Sequence, residues 1–367
     1  VTRKATASSM TGHDIARDRI PVAVLGATGA VGQTFIRLLR DHPWFRVAEV
    51  AASERSAGRR YVDAAHWLEG EMPADVASLT VTPCTPDSVS SSIVFSALDS
   101  GVAGEVEIAF ARTGRFVCSN AKNHRMLSDV PLLIPEINAQ HLAVIDAQRE
   151  HRGWTGALVT NANCSSTVAA LPLAPLHEAF GITSMFIATM QAVSGAGYPG
   201  VPSLDIMGNV IPYIADEEPK IEAEIGKLLG VVNENAIESA PFRVTAHANR
   251  VPVEHGHTTC MSIGLASSAT PEQVSDAIMA WTGREEAMDL PSRPHRPIVV
   301  TTAPDHPQPR RDVMRGNGMT VTVGRIRRDE LLDVRMVAMG SNTIRGAAGG
   351  AIMNAELLVT QGYVARP

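Results

Sequence analysis

The stretch IPVAVLGATGAVGQTFIRLL (20–39) constrains the fold more than any other part of the chain. The apolar run PVAVL reads as a short buried strand. It passes through three glycines spaced GxxGxxG into a segment where Val31, Phe35, Leu38 and Leu39 share one helical face. A strand, a glycine turn and a helix in that order describe the opening of a dinucleotide-binding βαβ unit. Gly26 permits the tight turn, Gly29 lets backbone approach a pyrophosphate, and Gly32 allows close packing of helix on strand. Thr28 adds a hydroxyl, and Ala30 and Val31 lie beside the phosphate position at the helix start.

The residues that follow repeat the theme. FRVAEVAAS (45–53) reads as a second strand, SSIVFSAL (91–98) as a third and GRFVCSNA (114–121) as a fourth, with the helical GEVEIAFART (104–113) between the last two. Strand and helix alternating at this interval predict an α/β fold with a Rossmann-type, doubly wound parallel sheet. Beyond about residue 160 the character changes. TSMFIATMQAVSG (183–195), VTAHANRVPVEHGHTTCMSIGLAS (244–267) and GMTVTVGRIRRD (318–329) read as longer strands. A helix starts at Pro271 behind an N-cap at Thr270. The expected organisation is a disordered extension (1–20), a nucleotide-binding domain (21–160) and an α+β catalytic and dimerisation domain (161–340). An alanine-rich C-terminal helix (341–367) returns to the first domain.

Composition narrows the function. A net charge of −6 and a pI near 6.1 disfavour a nucleic-acid or polybasic membrane binder. The arginines of QPRRDVMR and GRIRR are interleaved with acids and read as a solvated face. Cys84, Cys118, Cys164 and Cys260 lie far apart with no metal-ligand spacing, which predicts no metal site and a reducing, cytoplasmic setting. No run is long and apolar enough for a membrane span.

The second strand ends in ASERSAGRR. Ser53, Arg55 and Ser56 could grip a ribose 2′-phosphate, whereas Glu54 could serve a free diol, and the balance favours NADP(H) over NAD. Farther on, TNANCSSTVAAL (160–171) puts Cys164 among cap-forming residues at the start of a helix that Pro172 or Pro175 is expected to kink. A helix N-terminus lowers a thiol pKa and offers N–H groups to an oxyanion. Gln191 ends a strand before the glycine-rich QAVSGAGYPG, and Arg250 and His257 stand seven residues apart in RVPVEHGHT. A dinucleotide loop, a helix-capping cysteine and a histidine beside glycine fit reduction of an activated acyl group through a thioester.

Six ordered motifs carry a family resemblance: GATGAVGQ, SNAKNHRM…DVPLLIPEIN, NANCSST, QAVSGAGYPGVPSLDIMGNVIPYI, EEPKIEAE and RVPVEHGHT. From about residue 21 to 361 the chain resembles aspartate-semialdehyde dehydrogenases of the archaeal/fungal-type branch. The resemblance implies NADPH-dependent reduction of L-aspartyl 4-phosphate within aspartate-family amino-acid biosynthesis, by a homodimer or homotetramer. It implies Cys164 as nucleophile, His257 as acid/base and Gln191 as the residue orienting substrate beside the thiol. Arg250 is then matched to the substrate carboxylate, Arg125 and Lys220 to phosphate with Asn120 close by, and Glu217 to the substrate amine. Ser194, Gly195 and Asn342 are matched to positions near the nicotinamide. Two residues depart from the pattern: Thr259 stands where the family carries glutamate, and Pro219 interrupts the acidic run before Lys220. The rival readings are a CoA-thioester reductase of the malonyl-CoA type on the same scaffold, N-acetyl-γ-glutamyl-phosphate reductase, and a non-catalytic NADP-binding sensor.

Overall fold

The computed structural model describes residues 19–365. The first sheet is built from β1 (Ile20–Leu25), β2 (Phe45–Ala52), β3 (Thr82–Pro83), β4 (Ile93–Ser96), β5 (Phe116–Ser119), β6 (Leu132–Leu133) and β7 (Ala157–Asn161). Its order is β3-β2-β1-β4-β5-β7-β6, with every pairing parallel. Both faces are covered, so β1 is apolar throughout rather than alternating. Val22 and Val24 join a core with Phe35 and Ile36 of helix α1 (Ala30–Leu39) and Ile352 of the C-terminal helix. Ala23 and Leu25 join Phe110 and Ala111 of α2 (Ser100–Arg112) on the other side. Strand order reverses between β1 and β4, which opens a crevice at their carboxyl ends.

A third long helix, α3 (Val144–Arg152), leads into β7. The chain then leaves the first sheet through Ala162 and Asn163 and enters α4 (Cys164–Phe180), a helix apolar around most of its girth and buried from Ser165 to Leu176. A second, mixed sheet follows: β8 (Ile182–Gln191), β11 (Arg243–Arg250), β12 (His257–Leu265), β13 (Ile298–Thr301), β14 (Val321–Arg328) and β15 (Val334–Gly340), in the order β11-β8-β12-β15-β14-β13. A small hairpin, β9 (Val231–Asn233) and β10 (Ala236–Glu238), stands apart from it. Helices α4, α5 (Glu217–Leu228) and α6 (Pro271–Ala280) supply Val168, Leu171, Ile221, Ile225, Val274 and Ile278 to the core of this region. The sheet also presents Phe186 and Met190 to solvent. Thr270 and Gln273 close a full capping box at the start of α6, with Pro271 at its first position.

Several expectations need correcting. The short β3 precedes the strand expected to be third, because Thr82 and Pro83 pair with the end of β2. Most of the expected extension 1–20 lies outside the described residues, but Ile20 already belongs to β1, and the Arg19 guanidinium donates to the carbonyls of Arg40 and His42. A single helix runs through Pro172 and Pro175. Pro219 sits in the first turn of α5, where its missing N–H leaves no bond unmade.

The C-terminal segment is not one helix from residue 341. Ser341 and Asn342 are non-helical, and a π-turn over Ile344–Ala348 has Ala347 out of helical geometry at φ −145°, ψ −107°. The last helix, α7 (Gly349–Thr360), begins only after it. Ala348 N–H donates to Thr343 C=O (3.1 Å) and Gly346 N–H to Ser341 C=O (2.9 Å), so the wide turn keeps its backbone bonded.

Candidate active site

Cofactor side. The crevice beside β1 is a cleft of ≈ 630 Å³ lined by the glycine loop from Gly26 through Val31, by Ser53 and Glu54 after β2, and by Ala196–Tyr198 from the far side. Gly26 has φ +71°, and a Cβ there would lie 2.5 Å from the Ala97 carbonyl oxygen, so the loop tolerates only glycine at this point. Gly29 caps α1 without any side-chain hydrogen bond, which leaves first-turn N–H groups turned toward the cleft. This cradle fits a dinucleotide pyrophosphate. Gly32 is buried in α1. Ser53 reaches the cleft, but Arg55 and Ser56 do not line it. They belong to a turn in which Ser56 N–H donates to Ser53 C=O (2.8 Å), and that turn carries the Arg55 side chain into solvent.

Thiol side. Cys164 is the first residue of α4. Asn163, its N-cap, accepts from the N–H groups of Ser165 (2.9 Å) and Ser166 (3.1 Å), and donates through Nδ2 to Glu217 Oε1 (2.9 Å). The same Glu217 oxygen accepts from Gln191 Nε2 (3.0 Å), while Lys220 approaches its other oxygen at 2.7 Å. Burial works to raise the Glu217 carboxyl, but the charge and hydrogen bond of Lys220, with Asn163 and Gln191, outweigh it and hold the group below the usual carboxylate range.

Arg250, at the end of β11, donates to Ala192 C=O (2.7 Å), and burial depresses it against the opposing pull of Cys164 and Glu217. Gly195 lies against both Arg250 and His257: a Cβ there would fall 2.9 Å from Arg250 Nη1 and 3.2 Å from His257 Nε2. His257, 0 % exposed, accepts on Nδ1 from Ala192 N–H (3.1 Å), while its Nε2 has no protein partner. The ring is therefore the neutral tautomer with its proton on Nε2. Burial pushes it down to about 3, with Arg250 adding to the effect and Glu217 opposing it.

Arg125 is buried, donating to Asn120 C=O (2.7 Å) and to Glu224 Oε1 (2.8 Å). Asn120 accepts from Asn161 Nδ2 (3.0 Å) and keeps its own buried Nδ2 without a partner. Asn342 bridges Ser194 Oγ (2.9 Å) and Gly256 N–H (2.9 Å) and so ties the glycine-rich loop to the turn before His257. Thr259, inside β12, donates to Ala338 C=O (3.4 Å).

The lowered thiol expected for Cys164 is not what its surroundings produce. Burial pushes it up to about 12 and the Glu217 carboxylate adds to this, while Arg125, Lys220 and Arg250 pull the other way without prevailing. Three residues in this arrangement escaped the sequence reading. Glu224 and Lys227, on α5, are charged yet buried. Gly346, in the π-turn, lies so close to Cys164 that a Cβ would come within 2.6 Å of the cysteine Cβ.

A dinucleotide cleft beside a thiol ringed by charge is the architecture of a nicotinamide-dependent oxidoreductase that works through covalent catalysis. Two family models match: "Semialdehyde dehydrogenase, NAD binding domain" over residues 21–145 and "Semialdehyde dehydrogenase, dimerisation domain" over residues 173–345. Among curated relatives, the aspartate-semialdehyde dehydrogenase of Archaeoglobus fulgidus is 46% identical over 344 residues, covering 94% of this chain and 99% of its own. That of Schizosaccharomyces pombe is 45% identical over 352 residues, with coverage of 94% and 99%. The crystal structure of the Candida albicans enzyme with NADP superposes at a TM-score of 0.87 with 40% identity, covering 94% of this chain and all of that one. The chain belongs to the aspartate-semialdehyde dehydrogenase family.

Proposed function

We propose that the protein reduces L-aspartyl 4-phosphate to L-aspartate 4-semialdehyde with NADPH, through an acyl-thioester on Cys164. The observation that carries this is the set of charges around the thiol. Arg125, Lys220 and Arg250 bear on Cys164 together, with the Glu217 carboxylate among them. The substrate has a phosphate at one end, a carboxylate at the other and an ammonium between. It needs cations at both ends and an anion near the middle.

Arg250 holds the carboxylate, for which a guanidinium fork is suited, and Glu217 meets the ammonium. Arg125 and Lys220, with Asn120, hold the phosphate. Gln191, fixed by Glu217 and by Thr189 Oγ1 (3.2 Å), sets the acyl group beside the thiol. The Cys164 sulfur attacks the acyl carbon and the acyl–oxygen bond to phosphate breaks. The thiol proton leaves with the product as hydrogen phosphate, so the step balances. The oxygen that turns anionic needs a donor other than the Ser165 and Ser166 N–H groups, which the Asn163 side chain already holds.

His257 serves that same oxygen. With Nδ1 occupied by a donated hydrogen bond, it acts through its Nε2–H, as a donor to the oxyanion rather than as a base for the thiol; this narrows the acid/base role expected from the sequence. NADPH, when bound, supplies the hydride that reduces the thioester carbonyl. Collapse of the hemithioacetal then returns Cys164 as thiolate, which takes a proton from solvent. Ser194, Gly195 and Asn342 shape the nicotinamide end of the cleft, and Ser53 and Glu54 the adenosine end.

The protein works as a homodimer or homotetramer in the cytoplasm. Pairing through the second sheet would cover Phe186 and Met190, and the four cysteines, all free, suit a reducing compartment. The deciding assay follows NADPH formation from aspartate semialdehyde with inorganic phosphate or with CoA as acyl acceptor. Phosphate-dependent turnover that disappears in Cys164→Ala supports the reading. Turnover with CoA alone would overturn it in favour of a thioester reductase.

A further inference from the structure

We infer that Glu224 and Lys227 are positioning residues that hold Arg125 at a fixed place relative to the Cys164 helix, and so set the grip of the site on phosphate. The inference rests on the reading of Arg125 as an anion-binding residue given above.

Helix α5 carries Glu217, Lys220, Glu224 and Lys227 at spacings of three, four and three residues, which align them on one stripe. The stripe faces inward: Glu224 is 1% exposed and Lys227 2%. Glu224 divides its two oxygens between the two halves of the site. Oε1 accepts from Arg125 Nη1 (2.8 Å), and Oε2 accepts from the backbone N–H of Asn163 (2.6 Å), the residue before Cys164. One carboxylate thus sets the distance between the guanidinium and the start of the nucleophile's helix.

Lys227 fixes the other end of Arg125. Its ammonium donates to the carbonyls of Arg125 (2.6 Å), Leu127 (2.6 Å) and Val130 (2.7 Å), which uses all three of its protons. The backbone from which Arg125 springs is therefore tied to α5, as is the side chain. Asn120 C=O takes the second bond from the guanidinium, and Arg125 Nε stays buried with no protein partner. A buried ammonium and carboxylate are costly ways to fill space, since apolar side chains of similar volume pack as well or better. What the charges add here is direction. Each is spent on a group in, or next to, the machinery proposed to meet phosphate and thiol.

A merely structural role and a positioning role differ in one measurable respect: a positioning residue loses its effect once Arg125 is gone. The test uses the full chain in the oxidative direction, with aspartate semialdehyde, NADP⁺ and inorganic phosphate. The variants are Arg125→Ala, Lys227→Met, Glu224→Gln and the two doubles with Arg125→Ala. Lys227→Met and Glu224→Gln each raise the phosphate KM by about tenfold or more, since small displacements of a binding group cost one to two orders of magnitude. The NADP⁺ KM stays within about twofold of wild type, and neither change adds more than about twofold to the phosphate KM of Arg125→Ala.

An effect that persists undiminished in the Arg125→Ala background overturns the inference, as does a uniform loss of kcat with phosphate KM unchanged. Should Lys227→Met fail to fold, the Glu224→Gln cycle alone decides. If Arg125→Ala itself leaves the phosphate KM unaltered, the anion-binding reading of Arg125 has failed, and the inference with it. If Arg125→Ala raises that KM while Glu224→Gln and Lys227→Met do not, only the positioning inference fails.

Discussion

Ala192 N–H donates a 3.1 Å hydrogen bond to His257 Nδ1, and this one contact fixes which proton the buried imidazole can offer. Protonating Nδ1 would set two N–H groups against each other, so the ring stays neutral with Nε2–H available to the site. A side chain that supplies an N–H at the same place should therefore replace it in part. His257→Ala is expected to lose about 10²–10³-fold in kcat, the usual cost of deleting an oxyanion donor. His257→Gln should recover a measurable part of that loss. Nitrogen NMR of the wild-type ring should show the Nε2–H tautomer without titration between about pH 5 and 9, as its depressed pKa requires. A titration in that range, or equal loss in the two variants, would count against the donor role.

The raised thiol makes a prediction about alkaline stability. Cys164 moves from about 8.5 in an unfolded chain up to about 12 in the fold. A group that the fold keeps protonated contributes fully below its unfolded pKa, and that contribution falls as pH climbs from there toward the folded value. Denaturation series from pH 7 to pH 10.5 should thus show wild type losing stability relative to Cys164→Ala as pH rises. Alkylation of Cys164 by iodoacetamide should accelerate over the same range without reaching a plateau. A plateau near neutrality would show a thiolate already formed.

Gly346→Ala probes the contact between the π-turn and the nucleophile. The added methyl would meet Cys164 Cβ at 2.6 Å and its Cα at 2.8 Å, so helix or turn must shift. Overpacking of this kind costs about 1–3 kcal/mol. We expect a lower melting temperature together with a larger loss of kcat than of NADP⁺ affinity. Unchanged kcat would mean that the turn does not support the thiol.

The π-turn has its own anchor. Arg345 donates through both Nη atoms to Glu136, at 2.8 and 2.7 Å, and both residues are almost wholly buried. Arg345→Met strands a buried carboxylate and should destabilise the protein by about 3–5 kcal/mol. Pairing it with Glu136→Leu should recover most of that stability, which urea denaturation of the double variant would reveal.

The legible parts of this molecule were those where sterics or capping chemistry leave little choice. The Gly26 turn reads directly because β-carbons are excluded there, and the start of α4 reads because Asn163 caps it as such residues do. The illegible parts are those where tertiary context reverses a local rule. Glu224 and Lys227 sit at spacings typical of a solvated helix face, and only the packing of α5 against the Arg125 segment turns that stripe inward. The alanine- and glycine-rich run after Asn342 carries no breaker strong enough to announce a π-turn, and the turn sets Gly346 against Cys164. Of the residues expected at the 2′-phosphate, Ser53 lines the cleft, and the turn that follows it leaves Arg55 exposed.

The most direct measurement is the covalent state of Cys164 during turnover. Mixing the enzyme with aspartate semialdehyde and NADP⁺ in the absence of phosphate should give a stoichiometric burst of NADPH. Mass spectrometry should then find an aspartyl adduct on the Cys164 peptide, discharged when inorganic phosphate is added. Phosphate-dependent turnover with no such adduct, or with the acyl group on another residue, would contradict thioester catalysis at Cys164.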